Sequence, residues 1–124
     1  HINLPNGEGE NQLDNIRNIV ERSQSSNLKI WMGDFNTDAI GDLQSYQQIQ
    51  SLGLLDTFEL AEQKDSGVTV EKAIDGWQGH SQEKRLDYIF LNQAQRVLSS
   101  QVIFNNKNKP IVSDHFGVEV ELLL

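Results

Sequence analysis

Cysteine is absent from the 124 residues. That excludes disulfide frameworks, zinc-thiolate sites and a cysteine nucleophile. It also fits a reducing compartment, so a cytoplasmic location is expected, with secretion as the alternative because exported proteins can lack cysteine too. Basic residues are scarce: 10 Lys and Arg stand against 18 Asp and Glu, for a formal net charge of −8. Binding of nucleic acid through its backbone needs clustered Lys and Arg, so a nucleic-acid partner is disfavoured unless a local basic groove exists. Long apolar runs are missing as well, which leaves no candidate membrane span or signal peptide in this stretch. Internal repeats, low-complexity tracts and interdomain linkers are also absent. The first residue is His1, not Met, and a longer gene product upstream is expected.

What is present describes one globular unit, residues 1–124. The hydrophobic fraction is 37%, near the ordinary globular value once glycine is included. His1-Ile2 reads as the end of a strand, and the Pro5, Gly7 and Gly9 that follow make residues 3–12 a loop. Leu13, Ile16, Ile19 and Val20 recur at helical spacing behind a candidate N-cap, Asn11. Residues 28–32 read as a strand with Leu28, Ile30 and Met32 on one face, so Asp34 projects the same way at its end. A second helix is expected over 42–52, with Leu43, Tyr46, Ile49 and Leu52 as its stripe, Gly53 closing it and Asp38 as a candidate cap. Residues 64–67 are a polar turn and 68–70 a short strand. Strands follow at 86–91, 97–104 and 117–124, the last alternating Val118, Val120 and Leu122 against Glu119 and Glu121. The expected class is α+β: one mixed, mainly antiparallel sheet covered by helices on one face, its other face needing a partner.

Three short segments carry the chemistry. In Gly33-Asp34-Phe35-Asn36, Asp34 leaves a strand at its end, where it can hold a hard cation or take a proton from water; Asn36 can donate to a phosphate oxygen without adding charge. A plain Asp/Asn turn is the bland alternative. In Arg85-Leu86-Asp87-Tyr88-Ile89-Phe90, Asp87 shares a strand face with Ile89 and Leu91. A carboxylate there is costly unless paired, and two partners are open: His115, or a salt bridge to Arg85. In Ser113-Asp114-His115-Phe116-Gly117, Asp114 can ligate Mg²⁺ or Mn²⁺, and His115, held by a carboxylate, can orient or deprotonate water.

Taken in this order, the three segments resemble the C-terminal half of the endonuclease/exonuclease/phosphatase superfamily, which includes DNase I, exonuclease III, inositol polyphosphate 5-phosphatases and neutral sphingomyelinases. The likeness covers essentially the whole chain. It implies a DNase I-like α/β sandwich, of which this is roughly the second half, and metal-dependent phosphoester hydrolysis with Mg²⁺ or Mn²⁺. Position by position, it implies that Asp34 contacts metal or the nucleophilic water, Asn36 binds the scissile phosphate, Asp87 orients His115, Asp114 ligates metal, and His115 activates water or stabilises charge on the phosphoryl group. It also sets His1 where the family has a second catalytic histidine. The family's N-terminal half carries a metal-binding Glu and an Asn with no counterpart here, so that half is an expected partner.

For the substrate, Ala73-Ile74-Asp75-Gly76-Trp77-Gln78-Gly79 falls where the family places substrate-contacting loops. Trp77 can stack on a sugar or base, or simply pack its own loop. This loop and the acidic charge resemble the family's bacterial sugar-phosphate phosphatases, such as maltose 6′-phosphate phosphatase, and a phosphorylated small molecule is the expected substrate. A sphingomyelinase-like phosphodiesterase and a DNA endonuclease or exonuclease are the alternatives, and a non-enzymatic binding module that retains the fold is a third. Because the Glu and Asn are missing, residues 1–124 alone are expected to show little turnover of a generic phosphoester with Mg²⁺. Robust hydrolysis by the purified stretch would show that those ligands are not needed.

Overall fold

The computed structural model describes residues 9–22, 27–71 and 83–124. The expected strand at His1-Ile2, most of the loop after it and the Trp77 loop lie outside the described residues. The first helix, α1, runs Gly9–Arg22, so it starts earlier than expected and Asn11 is inside it rather than capping it. The reason is Gln12, one turn before Ile16: both are buried, and the Gln12 side-chain amide donates to the Phe35 carbonyl. Of the apolar stripe, Ile16 is buried while Ile19 is exposed.

Strand β1 spans Ile30–Asp34, two residues later than expected. Ahead of it, Asn92 replaces ladder bonds with its side chain, accepting from Lys29 N at 2.7 Å and donating to Asn27 O at 2.9 Å. Helix α2 covers Leu43–Gln50 and is capped by Asp42, which accepts from Ser45 N. Asp38 is therefore not the cap; its carboxylate is taken by Ile40 N and Arg85 N. Tyr46 and Ile49 are buried and Leu43 is exposed. Gly53, at φ +89°, supplies the left-handed turn that ends the helix.

Strand β2 (Leu55–Asp56) leads into a four-residue helix, α3 (Thr57–Leu60), and then β3 (Gln63–Lys64). Strands β4 (Asp87–Leu91), β5 (Arg96–Ile103) and β6 (Gly117–Leu123) complete the order. The α+β class and the mainly antiparallel pairing match expectation. The single sheet does not: among the described residues the strands divide into two three-stranded groups, β1-β4-β2 and β3-β5-β6. The segment 68–70, expected as a strand, is the joint between them. Val70 bridges only Lys84, while Thr69 O accepts from Phe116 N at 2.8 Å and Thr69 N donates to Lys84 O at 2.9 Å. The exposed pair Gln63–Lys64, expected in or beside a turn, runs parallel to β5 at an edge instead.

The core lies between α1, α2 and one face of the first sheet. Ile16, Phe35, Tyr46, Ile49, Leu54, Tyr88 and Phe90 form it, with Phe35 set edge-on to Tyr88 and Phe90. The opposite face is uncovered in part: Ile30 is 44% and Met32 65% exposed. No helix among the described residues is long and apolar enough to cross a membrane.

Into this core comes one cation. Arg85 is buried, and its guanidinium lies 2.8 Å from the buried Asp56 carboxylate and over the rings of Phe58, Tyr88 and Tyr46. Asp56 is saturated by two further donors, Tyr46 Oη at 2.5 Å and Phe58 N at 3.0 Å. Gly67, at φ +74°, leaves the Arg85 stem room; a Cβ there would stand 2.9 Å from Arg85 Cδ and 2.7 Å from the Phe58 ring. Removing one partner of a buried pair strands the other charge, which costs about 3–5 kcal/mol. Arg85→Ala is accordingly expected to lower unfolding free energy by about that amount, measured by urea denaturation, and an effect below about 1 kcal/mol, the range of exposed pairs, would show that Asp56 finds water instead.

Candidate active site

The β1–β4 register runs from Ile30↔Leu91 to Asp34↔Asp87. Directly opposed residues project on one face, so the last rung sets two carboxylates side by side where both strands leave the sheet. Each is largely buried, with side-chain exposures of 13% for Asp34 and 18% for Asp87. The loop before β6 brings His115 to them. Its Nδ1 lies 2.7 Å from Asp87 Oδ2 and its Nε2 3.9 Å from Asp34 Oδ2. The loop is held by Phe116, buried and bonded through its N–H to Thr69 O, and by His115 N donating to Ser113 Oγ at 3.2 Å.

Of the two partners open to Asp87, the structure selects His115; Arg85 goes to Asp56. Asp87 also pairs with the Thr69 hydroxyl, and its carboxyl is pushed above the usual range by burial, against the pull of its hydrogen bonds to His115 and Thr69. For His115, burial pulls the pKa down, but the Asp87 hydrogen bond and the charges of Asp87, Asp34 and Asp114 outweigh it, so the net shift is upward. An imidazole with a raised folded pKa stabilises the fold at pH below its free value of about 6.5 and loses that contribution as pH rises through the folded value.

Asn36 stands at the apex of the turn after β1. It is exposed between buried Phe35 and Thr37, adopts a left-handed φ of +54° that Asn tolerates better than most residues, and donates its backbone N–H to Asp34 Oδ1 at 2.7 Å. Asp114 is exposed and not among the clustered groups; its carboxylate accepts from Ser113 Oγ at 3.2 Å. His1 and Trp77 lie outside the described residues. Beside Asn36, on the helix side, is a cavity of about 370 Å³ whose polar lining includes Asn36, Asp38, Asp42, Ser45, Gln48 and Lys84. It contains none of Asp34, Asp87 and His115.

Two contributors escaped sequence reasoning. Thr69 reads as one more strand residue, yet it is fully buried, and a buried hydroxyl needs a partner; a Thr between two Val residues was the available signal. Asp38 reads as a helix cap, although its place two residues after Asn36 also suits a turn clamp.

Asp34, Asp87 and His115 each offer a donor atom, all within 4.8 Å of one another. Hard divalent cations take oxygen ligands, need only one or two carboxylates from the protein and keep several waters. Asp34 fits that demand through Oδ2. Asp87 fits it less well because its Oδ2 is engaged by His115. Asp114 lies outside this cluster of donor atoms.

Similarity to solved structures follows the same lines. An endonuclease/exonuclease/phosphatase family protein from Leptotrichia buccalis C-1013-b is 56% identical over 100% of this chain, which covers 47% of that one, with a TM-score of 0.84. A second, from Bacteroides thetaiotaomicron, is 26% identical over 94% of this chain and 45% of its own, with a TM-score of 0.70. A mannosyl-6-phosphatase from Bacteroides thetaiotaomicron VPI-5482 shares the fold at 23% identity and a TM-score of 0.70, over 95% of this chain and 48% of its own. No family model and no curated protein matches the chain. The chain belongs to the endonuclease/exonuclease/phosphatase family and carries its DNase I-like fold in part. It spans about half the length of the structures it matches.

Asp87→Asn removes the partner charge and is expected to lower the His115 pKa, followed by NMR titration of the ring protons in metal-free protein. An unchanged value would mean that Asp87 does not hold the imidazole in solution.

Proposed function

We propose that this chain forms part of a divalent-metal-dependent phosphoester hydrolase whose substrate is a phosphorylated small molecule of the sugar-phosphate class. The observation that carries the reading is the imidazole fixed by one carboxylate at 2.7 Å and facing a second at 3.9 Å. An oxygen lodged between Nε2 and Asp34 Oδ2 is within reach of both. With Nδ1 committed to Asp87, proton exchange at His115 runs through Nε2. Through that nitrogen His115 would orient the attacking water or donate to a phosphoryl oxygen as charge builds there. Asn36, held at the turn apex, donates its side-chain amide to another phosphoryl oxygen.

Asp34 and Asp114 would hold the cation, Mg²⁺ or Mn²⁺. When bound, it neutralises phosphate charge and aligns the ester for in-line attack. The rest of the domain, absent from this half-length chain, would supply the remaining ligands and His1 its second histidine role.

The sugar-phosphate reading rests on the cavity beside Asn36. It has room for the alcohol portion of an ester, and the carboxylate, hydroxyl, amide and ammonium groups of Asp38, Asp42, Ser45, Gln48 and Lys84 in its lining can hydrogen-bond sugar hydroxyls. The net charge of −8 disfavours a nucleic-acid substrate for the same electrostatic reason. Trp77 would add a stacking surface.

The test is hydrolysis by the complete domain with Mg²⁺ or Mn²⁺, comparing sugar phosphates, sphingomyelin and abasic DNA. Sugar phosphates are expected to give the highest kcat/KM. His115→Ala and Asp114→Ala are each expected to lower it by about 10²–10⁴-fold, the range of a lost acid–base group. Preference for sphingomyelin or abasic DNA would overturn the substrate class, and turnover insensitive to both variants would overturn the site.

A further inference from the structure

Asn36 is the one exposed residue in a short run whose neighbours on both sides are tied down. Phe35 is buried in the core and continues the ladder through its N–H to Leu86 O at 3.0 Å. Thr37 is buried and donates its hydroxyl to Phe35 O at 3.2 Å. Past Thr37, the chain meets the Tyr88 hydroxyl. That oxygen accepts from Ala39 N at 3.1 Å, and its proton is shared between the carbonyls of Thr37 and Arg85. Asp38 makes a second tie, accepting from Arg85 N at 3.1 Å and Ile40 N at 3.0 Å. Ala39 N also reaches Arg85 O at 3.2 Å.

Tyr88 follows Asp87 in β4, and successive side chains alternate faces. The Asp87 carboxylate therefore serves the cluster on one face while the Tyr88 ring enters the core on the other and sends its hydroxyl under the Asn36 turn. We infer that the Tyr88 hydroxyl is a positioning residue: it joins residues 37–39 to the start of β4 and so holds the Asn36 amide at a fixed place relative to Asp87 and His115. The inference rests on the proposed phosphoester chemistry for the role of Asn36, but the clamp itself does not. Burial raises the Tyr88 pKa, so the hydroxyl keeps the proton the clamp needs across the working pH range. A left-handed turn at a non-glycine residue persists only where its surroundings enforce it; here Asp34 Oδ1 holds the Asn36 N–H at 2.7 Å, and Tyr88 with Asp38 hold the residues that follow.

The experiment uses the complete domain with Tyr88→Phe, Asn36→Ala and the double variant. Tyr88→Phe keeps the ring and its packing and removes only the hydroxyl. It is expected to lower kcat by about 10–100-fold, the scale of a displacement near 1 Å, with KM changed far less. In the double variant, the Tyr88 effect should vanish, because its action runs through Asn36; fully additive losses would overturn the inference. A purely packing role predicts additivity, so the cycle separates the two. Should Tyr88→Phe fail to fold, Asp38→Ala removes the second tie and is expected to speed amide exchange at Arg85 and Ile40 by about tenfold, and unchanged exchange there would count against the clamp. Amide hydrogen exchange at Ala39 provides the readout that needs no turnover. At least tenfold faster exchange in Tyr88→Phe supports the clamp, and unchanged exchange sinks it. A wild-type domain inactive on every phosphoester would defeat the proposed function, while the exchange data would still decide the clamp.

Discussion

Two carboxylates meet on the last rung of the β1–β4 ladder, and the site is the resolution of that conflict. Like charges directly opposed across a strand pair are destabilising, more so where the groups are partly buried. Asp34 spends Oδ1 on the Asn36 amide and turns Oδ2 toward His115; Asp87 spends Oδ2 on His115 Nδ1. The imidazole thus compensates both with one positive charge when protonated. A fold selected for stability alone would place an apolar pair on this rung, as it does at Met32↔Ile89 and Ile30↔Leu91. Keeping two acids there costs free energy that the rest of the sheet must offset.

The other side of the same segment decides which cation reaches Asp87. Arg85, two residues from Asp87, is drawn away from the site by Asp56 and a wall of three rings. Were it free to reach Asp87, the nearer cation would compete with His115 for that carboxylate. Asp56 therefore does two things at once: it neutralises a buried cation, and it leaves Asp87 to the imidazole. Tyr46 reinforces the choice by donating to Asp56, which links α2 to the start of β4 through a chain of polar contacts inside an otherwise apolar core.

Much of this was legible as periodicity and little of it as pairing. Alternation marked β6, helical spacing marked α1 and α2, and the strand-end place of Asp34 followed from the face shared with Ile30 and Met32. The sequence could not say which acid takes Arg85, because Asp56 and Asp87 are both plausible until the fold sets their distances. Nor could it find β3, whose two residues pair by position at an edge rather than by propensity. Segment 68–70 misled for a related reason: Val-Thr-Val has strand composition, but Thr69 spends its backbone joining two groups of strands instead of extending one. Asn36 was read for its side-chain amide, while its left-handed backbone, which Asn accommodates better than most residues, was the more local signal.

The uncovered face bears on the chemistry as well as on the fold. Ile30 and Met32 lie on the face that carries Asp34 and Asp87, exposed by 44% and 65%, in a chain that spans about half the length of its structural neighbours. Any protein surface that packs on those two side chains approaches the carboxylates at the end of the same strands. It would remove water from around Asp34 and His115, and electrostatic interactions between them would strengthen as the local dielectric falls. Desolvation also disfavours isolated charge, so a covered site needs its compensation more than an open one does. The hydrogen bond between Asp87 and His115 is the part of that compensation already built into this chain, and the divalent cation we propose would complete it from outside.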